Sequence, residues 1–426
     1  MLKRTTLLFS ALALPLALGG CLDGDDPNFA PPVAELRVVH GSPDAPAVDV
    51  LVDDNAAISG AAYLAGTGYL PVPSEGFKLD INAAGTSTTA LSLDPVELAP
   101  ETRYTAIAAN TLDSLEVLVL DDSNEGAATG NGLLRLVHGA PGAPAVDIYA
   151  SAPGGTLSPL ATNVSFKDYT EFLSVPAGSY AVTVTATGSM DPLYVSQPIA
   201  LGEGDVFTAV ALENPEPTVA PILVGAYVDD STFATVTDSR GAIRAAHLSP
   251  DAPNVDILVD DAVVLTNVPF KAVSDYLVVD AGTRNVKVNV TGTTTTVIDQ
   301  DVEVAASETI TVAAVNFVAS IEPLASSDDL APPAAGEAKL RVVHASPDAP
   351  NVDVLVDGTE VLTDVPFKAI SDYLTVGAGD VNVQVNVTGT TTTVIDVTPT
   401  LVDGGIYTAI AANEVASIEA VLVQDN

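Results

Sequence analysis

Hydrophobic and polar residues alternate in short stretches along this chain, and turn-forming residues separate the stretches about every 8–12 residues. In residues 48–53, Val alternates with Asp and Leu, and in residues 286–290 Val alternates with Lys and Asn. A period of two places successive side chains on opposite faces of a strand. The pattern therefore predicts an all-β fold. Antiparallel pairing is expected, because no helical crossovers are present to join parallel strands.

A four-fold internal repeat organises the chain. Each of its four His residues has an Arg three positions earlier and, nine positions later, an Asp that follows a Pro-containing turn. We call this triplet the first motif. A repeat of about 100 residues with many short strands predicts four tandem β-sandwiches of immunoglobulin-like or prealbumin-like type. The first motif comprises Arg37, His40, Asp49; Arg135, His138, Asp147; Arg244, His247, Asp256; and Arg341, His344, Asp353.

Polar stretches rich in Gly and Pro separate the repeats and predict the domain boundaries. Residues 1–20 form a predicted signal peptide, and residues 21–34 form an acidic, Pro-containing tether that should stay extended. The four predicted domains are residues 35–122, 133–237, 241–326 and 337–426.

A second motif follows the first in each repeat, and we expect its aromatic side chains to be packing residues. It reads FKAVSDYL at residues 270–277, FKAISDYL at 367–374 and FKDYTEFL at 166–173. The first repeat has YLAGTGYL at residues 63–70, without the Lys. The third and fourth repeats also share VNVTGTTTTVID, a Thr-rich hairpin whose edge could accept a strand from a partner.

The combination of RVVHASPDAPNVDVLVDG with PFKAISDYL and a following AG-x-x-x-V-x-V strand resembles the bacterial domain of unknown function 4397. The resemblance covers nearly the whole chain after residue 20, in four copies. It implies an extracytoplasmic β-domain that is often tandem and often attached to lipid. It implies no known activity.

The N-terminus combines Lys3 and Arg4 with a short apolar run and ends in Leu-Gly-Gly-Cys at residues 18–21. This pattern is typical of an exported protein, and its end resembles the bacterial lipoprotein signal. The resemblance implies acylation of Cys21, the only Cys in the chain. Because Leu22 rather than Asp follows, it also implies the outer membrane, with its lipid as a partner; the face of the membrane stays open. An ordinary signal peptide with a chance Cys is the alternative.

The first motif is interpreted as structural. The Arg and Asp twelve residues apart in each copy are expected to pair across neighbouring strands and hold their register. His40 and its counterparts are expected at the end of a core-facing row, with the Arg on the opposite face. A catalytic or metal-binding His is the alternative. However, each repeat supplies one His and no Cys, whereas a metal site needs three or four ligands.

Three acidic residues in the Pro-containing loops are weak candidates for calcium binding: Asp44, Asp251 and Asp348. Carboxylates and carbonyls in loops are the oxygen ligands that Ca²⁺ prefers. The second repeat has Gly142 at this position and provides an internal control. The alternative, that the Asp caps a turn, is favoured. No other cofactor is expected.

Composition narrows the function. With 15 basic against 55 acidic residues and a net charge of −40, the chain lacks the basic surface that nucleic-acid binding requires. No G-x-S-x-G nucleophile motif occurs, and Ala140 replaces Ser42 in the second repeat, so an enzyme is not expected. The sequence favours a non-catalytic, lipid-anchored envelope or cell-surface protein that acts as a spacer, adhesive or matrix-binding stalk. The alternative is a periplasmic lipoprotein that binds carbohydrate or envelope polymer, through an exposed Tyr such as Tyr149 or Tyr373.

Overall fold

The computed structural model describes residues 32–215 and 218–426, so the predicted signal peptide and Cys21 lie outside the described residues. The predicted all-β fold is confirmed: the described residues form thirty-six strands and three short 3₁₀ turns. Each sheet draws its strands from one of four successive segments, which we call domains 1 to 4. None of the helical turns in these ranges has the length and apolar character needed to cross a membrane.

Domain 1 contains eight strands and one 3₁₀ turn. They are β1 Val33–His40, β2 Val48–Val52, β3 Asn55–Ala61, β4 Leu70–Pro73, β5 Phe77–Ala83, β6 Thr89–Val96, β7 Arg103–Ala109, the turn Leu112–Ser114, and β8 Glu116–Asp121.

Domain 2 has additional short strands, and its described residues include no 3₁₀ turn. Its strands are β9 Asn131–His138, β10 Val146–Ser151, β11 Ser158–Val164, β12 Leu173–Pro176, β13 Gly178–Ala186, β14 Pro192–Val195, β15 Ile199–Leu201, β16 Val206–Glu213, β17 Ile222–Val228 and β18 Ala234–Val236.

Domains 3 and 4 repeat the plan of domain 1. Domain 3 contains β19 Arg240–His247, β20 Val255–Val259, β21 Ala262–Val268, β22 Leu277–Asp280, β23 Gly282–Val290, β24 Thr296–Val304, β25 Thr309–Val315, the turn Val318–Ser320, and β26 Glu322–Ser327. Domain 4 contains β27 Glu337–His344, β28 Val352–Val356, β29 Thr359–Val365, β30 Leu374–Gly377, β31 Gly379–Asp380, β32 Val383–Val387, β33 Thr393–Val397, β34 Thr400–Leu401, β35 Ile406–Ala412, the turn Val415–Ser417, and β36 Glu419–Gln424.

Two sheets pack face to face in each domain. In domain 1 the orders are β4-β1-β7-β8, which we call the pairing sheet, and β3-β2-β5-β6, which we call the outer sheet. An immunoglobulin sandwich would instead group the first, second, fourth and fifth strands in one sheet. The observed order is the prealbumin-like alternative of the sequence prediction.

The prediction of purely antiparallel sheets is wrong for one strand pair in each domain. Strand β1 runs parallel to β7, and β9·β16, β19·β25 and β27·β35 repeat this arrangement. Between β1 and β7 the chain crosses to the outer sheet and returns, so the parallel direction needs no helical crossover. All other ladders are antiparallel within the described residues.

Each sandwich has its own core, built from the alternating strands that the sequence predicted. In β2, Val48, Val50 and Val52 are buried, whereas Asp49 and Leu51 are only partly covered. Separate apolar clusters fill the sandwiches of domains 1, 2, 3 and 4. Burying aliphatic surface at about 25 cal/mol per Å² is the main stabilising contribution in cores of this kind.

Two further apolar clusters lie between domains. One joins Val39 and Ile107 of domain 1 to Val210 and Leu212 of domain 2. The other joins Leu248 of domain 3 and its neighbours to residues of domain 4. The pairing sheets are therefore covered on both faces, and the four domains form two packed pairs, 1:2 and 3:4, rather than a row of separate units.

Candidate functional site

The His of the first motif closes its own Pro-containing loop. His40 is 2% exposed, its Nε2–H donates to the Pro46 carbonyl at 3.1 Å, and its Nδ1 accepts from the Ser42 amide at 3.4 Å. His138, His247 and His344 make the same Nε2 contact with the carbonyls of the corresponding prolines. Burial lowers the pKa of His40, His247 and His344, so the neutral ring is favoured.

A cavity of about 390 Å³ lies beside His40 between the two sheets of domain 1. Ala61 lines it, at the position occupied by Val164, Val268 and Val365 in the other domains. Because both ring nitrogens of His40 already bond to backbone groups, the ring presents no free base or metal ligand to this space. The geometry supports the interpretation of the His as a structural residue.

The predicted pairing of each Arg with the Asp twelve residues later is wrong. Asp49 instead accepts the amides of Gly60 at 2.7 Å and Gly85 at 2.8 Å, and so ties two hairpins of the outer sheet to β2. Asp147, Asp256 and Asp353 accept amides of the corresponding loops, and these backbone hydrogen bonds lower the pKa of all three carboxyls. The Arg lies in the other sheet, out of reach of this Asp.

The four Arg residues lie in the interfaces between paired domains. They project from the face of the pairing sheet that the sequence analysis left to solvent, yet each is at most 3% exposed. In pair 3:4 the contacts are reciprocal: Arg244 Nη1 donates to Asp425 of domain 4 at 2.7 Å, and Arg341 Nη2 donates to Asp328 of domain 3 at 2.6 Å.

The second motif supplies the remaining members of this buried cluster. The Tyr373 hydroxyl donates to Asp425 at 2.9 Å, and the Arg341 guanidinium lies 4.6 Å from the Tyr373 ring centroid. Thr408 Oγ1 also donates to Asp425 at 2.6 Å and accepts from Arg341. Burial and the adjacent Asp425 raise the pKa of Tyr373, which keeps its hydroxyl a donor. Tyr276, Thr311 and Asp328 repeat these contacts in domain 3.

Pair 1:2 uses an asymmetric version of the cluster. Arg135 of domain 2 binds Asp122 of domain 1, which also accepts from Tyr69 and Thr105. Among the described residues of domain 2, no carboxylate pairs with Arg37, whose ion pair is with Asp122 of its own domain at 3.5 Å.

The reason lies at the end of β17. The carboxylate of Asp229 turns back to the Val206 amide, so Arg37 donates to the Asp229 carbonyl at 3.1 Å instead. The Arg37 guanidinium also stacks 3.8 Å from the Tyr227 ring centroid. A cation over an aromatic ring in a desolvated place contributes about 2 kcal/mol, and it replaces the missing ion pair here.

A partly exposed rim of ion pairs surrounds each buried cluster. The Lys of the second motif reaches the partner domain in each case: Lys167–Glu116 at 3.1 Å, Lys271–Glu419 at 2.9 Å and Lys368–Glu322 at 3.1 Å. An apolar centre with a polar rim is the usual anatomy of a specific protein–protein interface.

Domains 2 and 3 are joined by a short, anchored connection rather than a sheet interface. The Arg240 guanidinium binds both oxygens of Asp238 and donates to the carbonyls of Pro192 and Leu193 in domain 2. Ser239 donates its amide to Val195. These contacts hold the start of β19 against β14 and restrict rotation at the only junction without a face-to-face interface.

Each loop Asp caps a 3₁₀ turn that lies 67 or 68 residues later in the chain, rather than the turn of its own loop. Asp44, Asp251 and Asp348 accept the first amides of the 3₁₀ turns, at 2.7, 2.6 and 2.7 Å. Gly142 of domain 2 donates its own amide to Glu213, and no 3₁₀ turn is found among the residues that the structure describes in this domain. Among the described residues, no three His, Cys, Asp or Glu side chains are grouped as a metal site requires. The calcium prediction gains no support.

The sequence analysis missed the acceptors Asp122, Asp328 and Asp425, which complete the clusters. Each follows the last strand of its repeat, 84 or 85 residues after the Arg of the same repeat. Aligning the repeat ends would have found this recurrence. Tyr373, a candidate for carbohydrate binding, instead contacts Arg341 and Asp425 in the interface between domains 3 and 4. These contacts assign no role to Tyr149, the other candidate.

Solved structures with some similarity are remote. The Bacillus anthracis TIE protein is 14% identical over 86% of this chain and 66% of its own, with a TM-score of 0.16. The pneumococcal glycogen-degrading virulence factor SpuA is 9% identical over 85% and 37%, with a TM-score of 0.15. The Bacillus cereus major pilin subunit BcpA is 12% identical over 67% and 99%, with a TM-score of 0.13. This chain thus spans less than two thirds of the length of the TIE protein and of SpuA. TM-scores this low support no inference about the present chain.

Curated protein sequences gave no significant match. The comparison with family models did: the domain of unknown function DUF4397 matches residues 34–149, 241–355 and 338–426. These segments include all four copies of the first motif and more than half of the chain. The chain therefore belongs to the DUF4397 family and carries its domain in tandem.

Proposed function

We propose that this chain is a non-catalytic, lipid-anchored envelope protein whose four domains form a stiff spacer, with its outer sheets available for adhesion or matrix binding. One observation carries the proposal. The four repeated Arg side chains, together with the acidic and Tyr residues around them, are used to hold domains together. An open cavity of about 510 Å³ is lined by Arg244, Tyr276 and Asp425. Their polar groups already bond within the cluster, Arg244 to Asp425 and Tyr276 to Asp328, and so serve the interface.

Stiffness is supported at all three junctions. Pairs 1:2 and 3:4 share apolar clusters and buried ion pairs, and the short junction between domains 2 and 3 is tied by Arg240. Independent domains on flexible linkers would show relative motion by default. A spacer built from face-to-face pairs is shorter than four domains placed end to end, and it resists bending better.

Binding surfaces are available on the outer sheets. The Thr-rich hairpins Val288–Asp299 and Val385–Asp396 lie in the outer sheets of domains 3 and 4, where residues 293–295 and 390–392 are exposed. Two copies of one weak surface on a stiff support gain apparent affinity from their effective concentration. This favours repeated, low-affinity adhesion over a single tight site.

The location is tested on intact cells of the natural host. Cells are treated with a broad protease, and the protein is followed with an antibody against domain 4, beside a periplasmic marker protein. Digestion of domain 4 while the marker stays intact is the expected result for a surface adhesive. Protection of both until the outer membrane is broken would overturn surface adhesion and favour a periplasmic role.

The anchor is tested with Cys21→Ser, which removes the only thiol of the chain. We expect the variant to lose its fractionation with membranes while keeping the thermal stability of its folded domains. A variant that stays in the membrane fraction would contradict a lipid anchor at Cys21.

A further inference from the structure

Each interface between paired domains brings corresponding positions of the two domains into one buried apolar cluster, and in pair 3:4 the Arg–Asp contacts are reciprocal. Two positions of every repeat lie there. The first directly follows the His, and the second lies one residue beyond the Ala that pairs with that His on the parallel strand. The first position is Gly41, Gly139, Leu248 and Ala345. The second position is Ala109, Leu212, Val315 and Ala412.

Pair 1:2 shows how the two positions fit together. A Cβ atom added to Gly41 of domain 1 would come within 2.8 Å of Leu212 Cδ2 in domain 2. Leu212 is fully buried, so it cannot move into solvent to make room. The large side chain of Leu212 in domain 2 therefore requires that position 41 of domain 1 carries no side chain.

The correspondence between repeats extends this rule to pair 3:4. Here the larger side chain of one couple lies at the first position, in domain 3, and the smaller one at the second position, in domain 4. Leu248 of domain 3 corresponds to Gly41, and Ala412 of domain 4 corresponds to Leu212. Val315 and Ala345 form the other couple, and all four lie in one buried cluster. The couples Gly41·Leu212, Leu248·Ala412 and Ala345·Val315 thus join a larger residue to a smaller one. Gly139 instead leaves room for Leu212 of its own domain, which an added Cβ would meet at 2.9 Å.

A second couple in pair 1:2 follows the same logic. A Cβ atom on Gly66 of domain 1 would lie 2.3 Å from Phe233 Cβ of domain 2. Residues 273 and 370, at the corresponding positions of domains 3 and 4, are Val and Ile. The Phe233 ring also lies against Gly225, whose added Cβ would meet it at 2.1 Å. Domain 2 therefore inserts Phe233 into a space that only a Gly at position 66 leaves open.

We infer that complementary side-chain size at these couples helps to specify which domains pair, and that the pairing sheet of domain 3 in particular accepts its neighbour in the chain and rejects a copy of itself. Two domain 3 faces would oppose two Leu248 and two Val315 side chains in a space that holds one of each. Overpacking of this kind displaces backbone and side chains in dense interiors. The Arg and Asp residues recur in domains 1, 3 and 4 and cannot make this distinction, whereas the size couples can. The rule applies wherever the protein resides.

The test exchanges the sizes within one couple of the full-length chain. Leu248→Ala leaves a cavity, Ala412→Leu overpacks, and the double variant Leu248→Ala/Ala412→Leu restores one large and one small residue. Hydrogen–deuterium exchange with mass spectrometry follows peptides of β25 and β35 in pair 3:4, with peptides of β7 and β16 in pair 1:2 as the internal reference.

Each single variant is expected to lose protection in both domains 3 and 4 by about tenfold or more. The double variant should recover most of it, while pair 1:2 stays unchanged in all three. A double variant in which the two losses add, or that fails to fold like Ala412→Leu alone, would overturn size matching.

The reciprocal test uses pair 1:2. Gly66→Val introduces the residue of domain 3 and should open pair 1:2, because its Cβ would meet Phe233 Cβ at 2.3 Å and Tyr227 Oη at 2.5 Å. Gly68→Val is the matched control, since an added Cβ there meets no atom within 4 Å. An unchanged exchange pattern in Gly66→Val, or an equal loss of protection in both variants, would contradict the inference. Pair 3:4 is then the reference.

Discussion

Asp425, which directly follows β36, is predicted to be a main determinant of the stability of pair 3:4. Its carboxylate accepts from Arg244 of the other domain at 2.7 Å, from Thr408 at 2.6 Å and from Tyr373 at 2.9 Å. The side chains of Asp425 and Arg244 are 0% and 3% exposed. Asp425→Ala removes all three acceptor contacts and leaves the Arg244 charge in the interface.

The size of the effect follows from what remains. Arg244 keeps a hydrogen bond to Thr311 and a longer approach of 3.8 Å to Asp328, so its charge is only partly compensated. Removing one partner of a buried ion pair costs about 3–5 kcal/mol. If residues 240–426 unfold as one unit, this corresponds to a decrease in Tm on the order of 6–20 °C.

Differential scanning calorimetry of the full-length protein measures this decrease, with Asp372→Ala as the control, because Asp372 is exposed and adjoins the same Tyr373. The control should change Tm by less than about 2 °C. Asp122→Ala should destabilise pair 1:2 instead, so the two variants should affect different parts of the calorimetric profile. If Asp425→Ala lowers Tm by less than about 2 °C, the reasoning is refuted, because a buried charge that has lost its partner should destabilise the fold by more than this.

Three further results are expected. First, the free energy of unfolding should fall as pH decreases below about 6.5, the ordinary pKa of His. Burial lowers the pKa of His344 in the folded state, so the unfolded state binds more protons in this range. His344→Gln should flatten the pH dependence measured by urea titrations at pH 5–8, and an unchanged slope would contradict this explanation. Lys368→Met should cost about 0.2–1 kcal/mol at low salt and nearly nothing at about 1 M NaCl, because the ion pair with Glu322 is partly exposed; a salt-independent loss would point to packing instead. Asp348→Ala should cost about 1 kcal/mol through loss of the Val415 amide bond, and added Ca²⁺ should leave the Tm of the unsubstituted protein unchanged; a rise in Tm would restore the calcium hypothesis.

The outer sheets were the most predictable part of the fold. Strand β2 alternates between buried Val and partly covered residues, as a strand with one face on a core should. The His residues also lie where the sequence placed them, at the end of a core-facing row, because that row continues the apolar face of β1.

The pairing sheets were less predictable. Strand β19 is buried along its whole length, and Arg240 and Arg244 lie among its small apolar residues. An alternating pattern predicts that one face of a strand packs on the core and that the other face is exposed to solvent. A charged side chain on a strand that is covered on both faces is therefore wrongly predicted to be exposed. The acceptors Asp328 and Asp425 come from a neighbouring repeat. Asp328 lies 13 residues before Arg341, across a predicted domain boundary, whereas 181 residues separate Arg244 from Asp425.

The packing of the domains into pairs is the central claim, and zero-length crosslinking tests it most directly. A carbodiimide joins a Lys amine to a carboxylate only when the two are in contact, and the seven Lys residues of the chain make the products easy to assign. The account predicts three crosslinks between domains in the monomeric full-length protein: Lys167–Glu116, Lys271–Glu419 and Lys368–Glu322. Recovery of only the contacts within domains, such as Lys78–Asp80 and Lys287–Asp261, would contradict the paired arrangement.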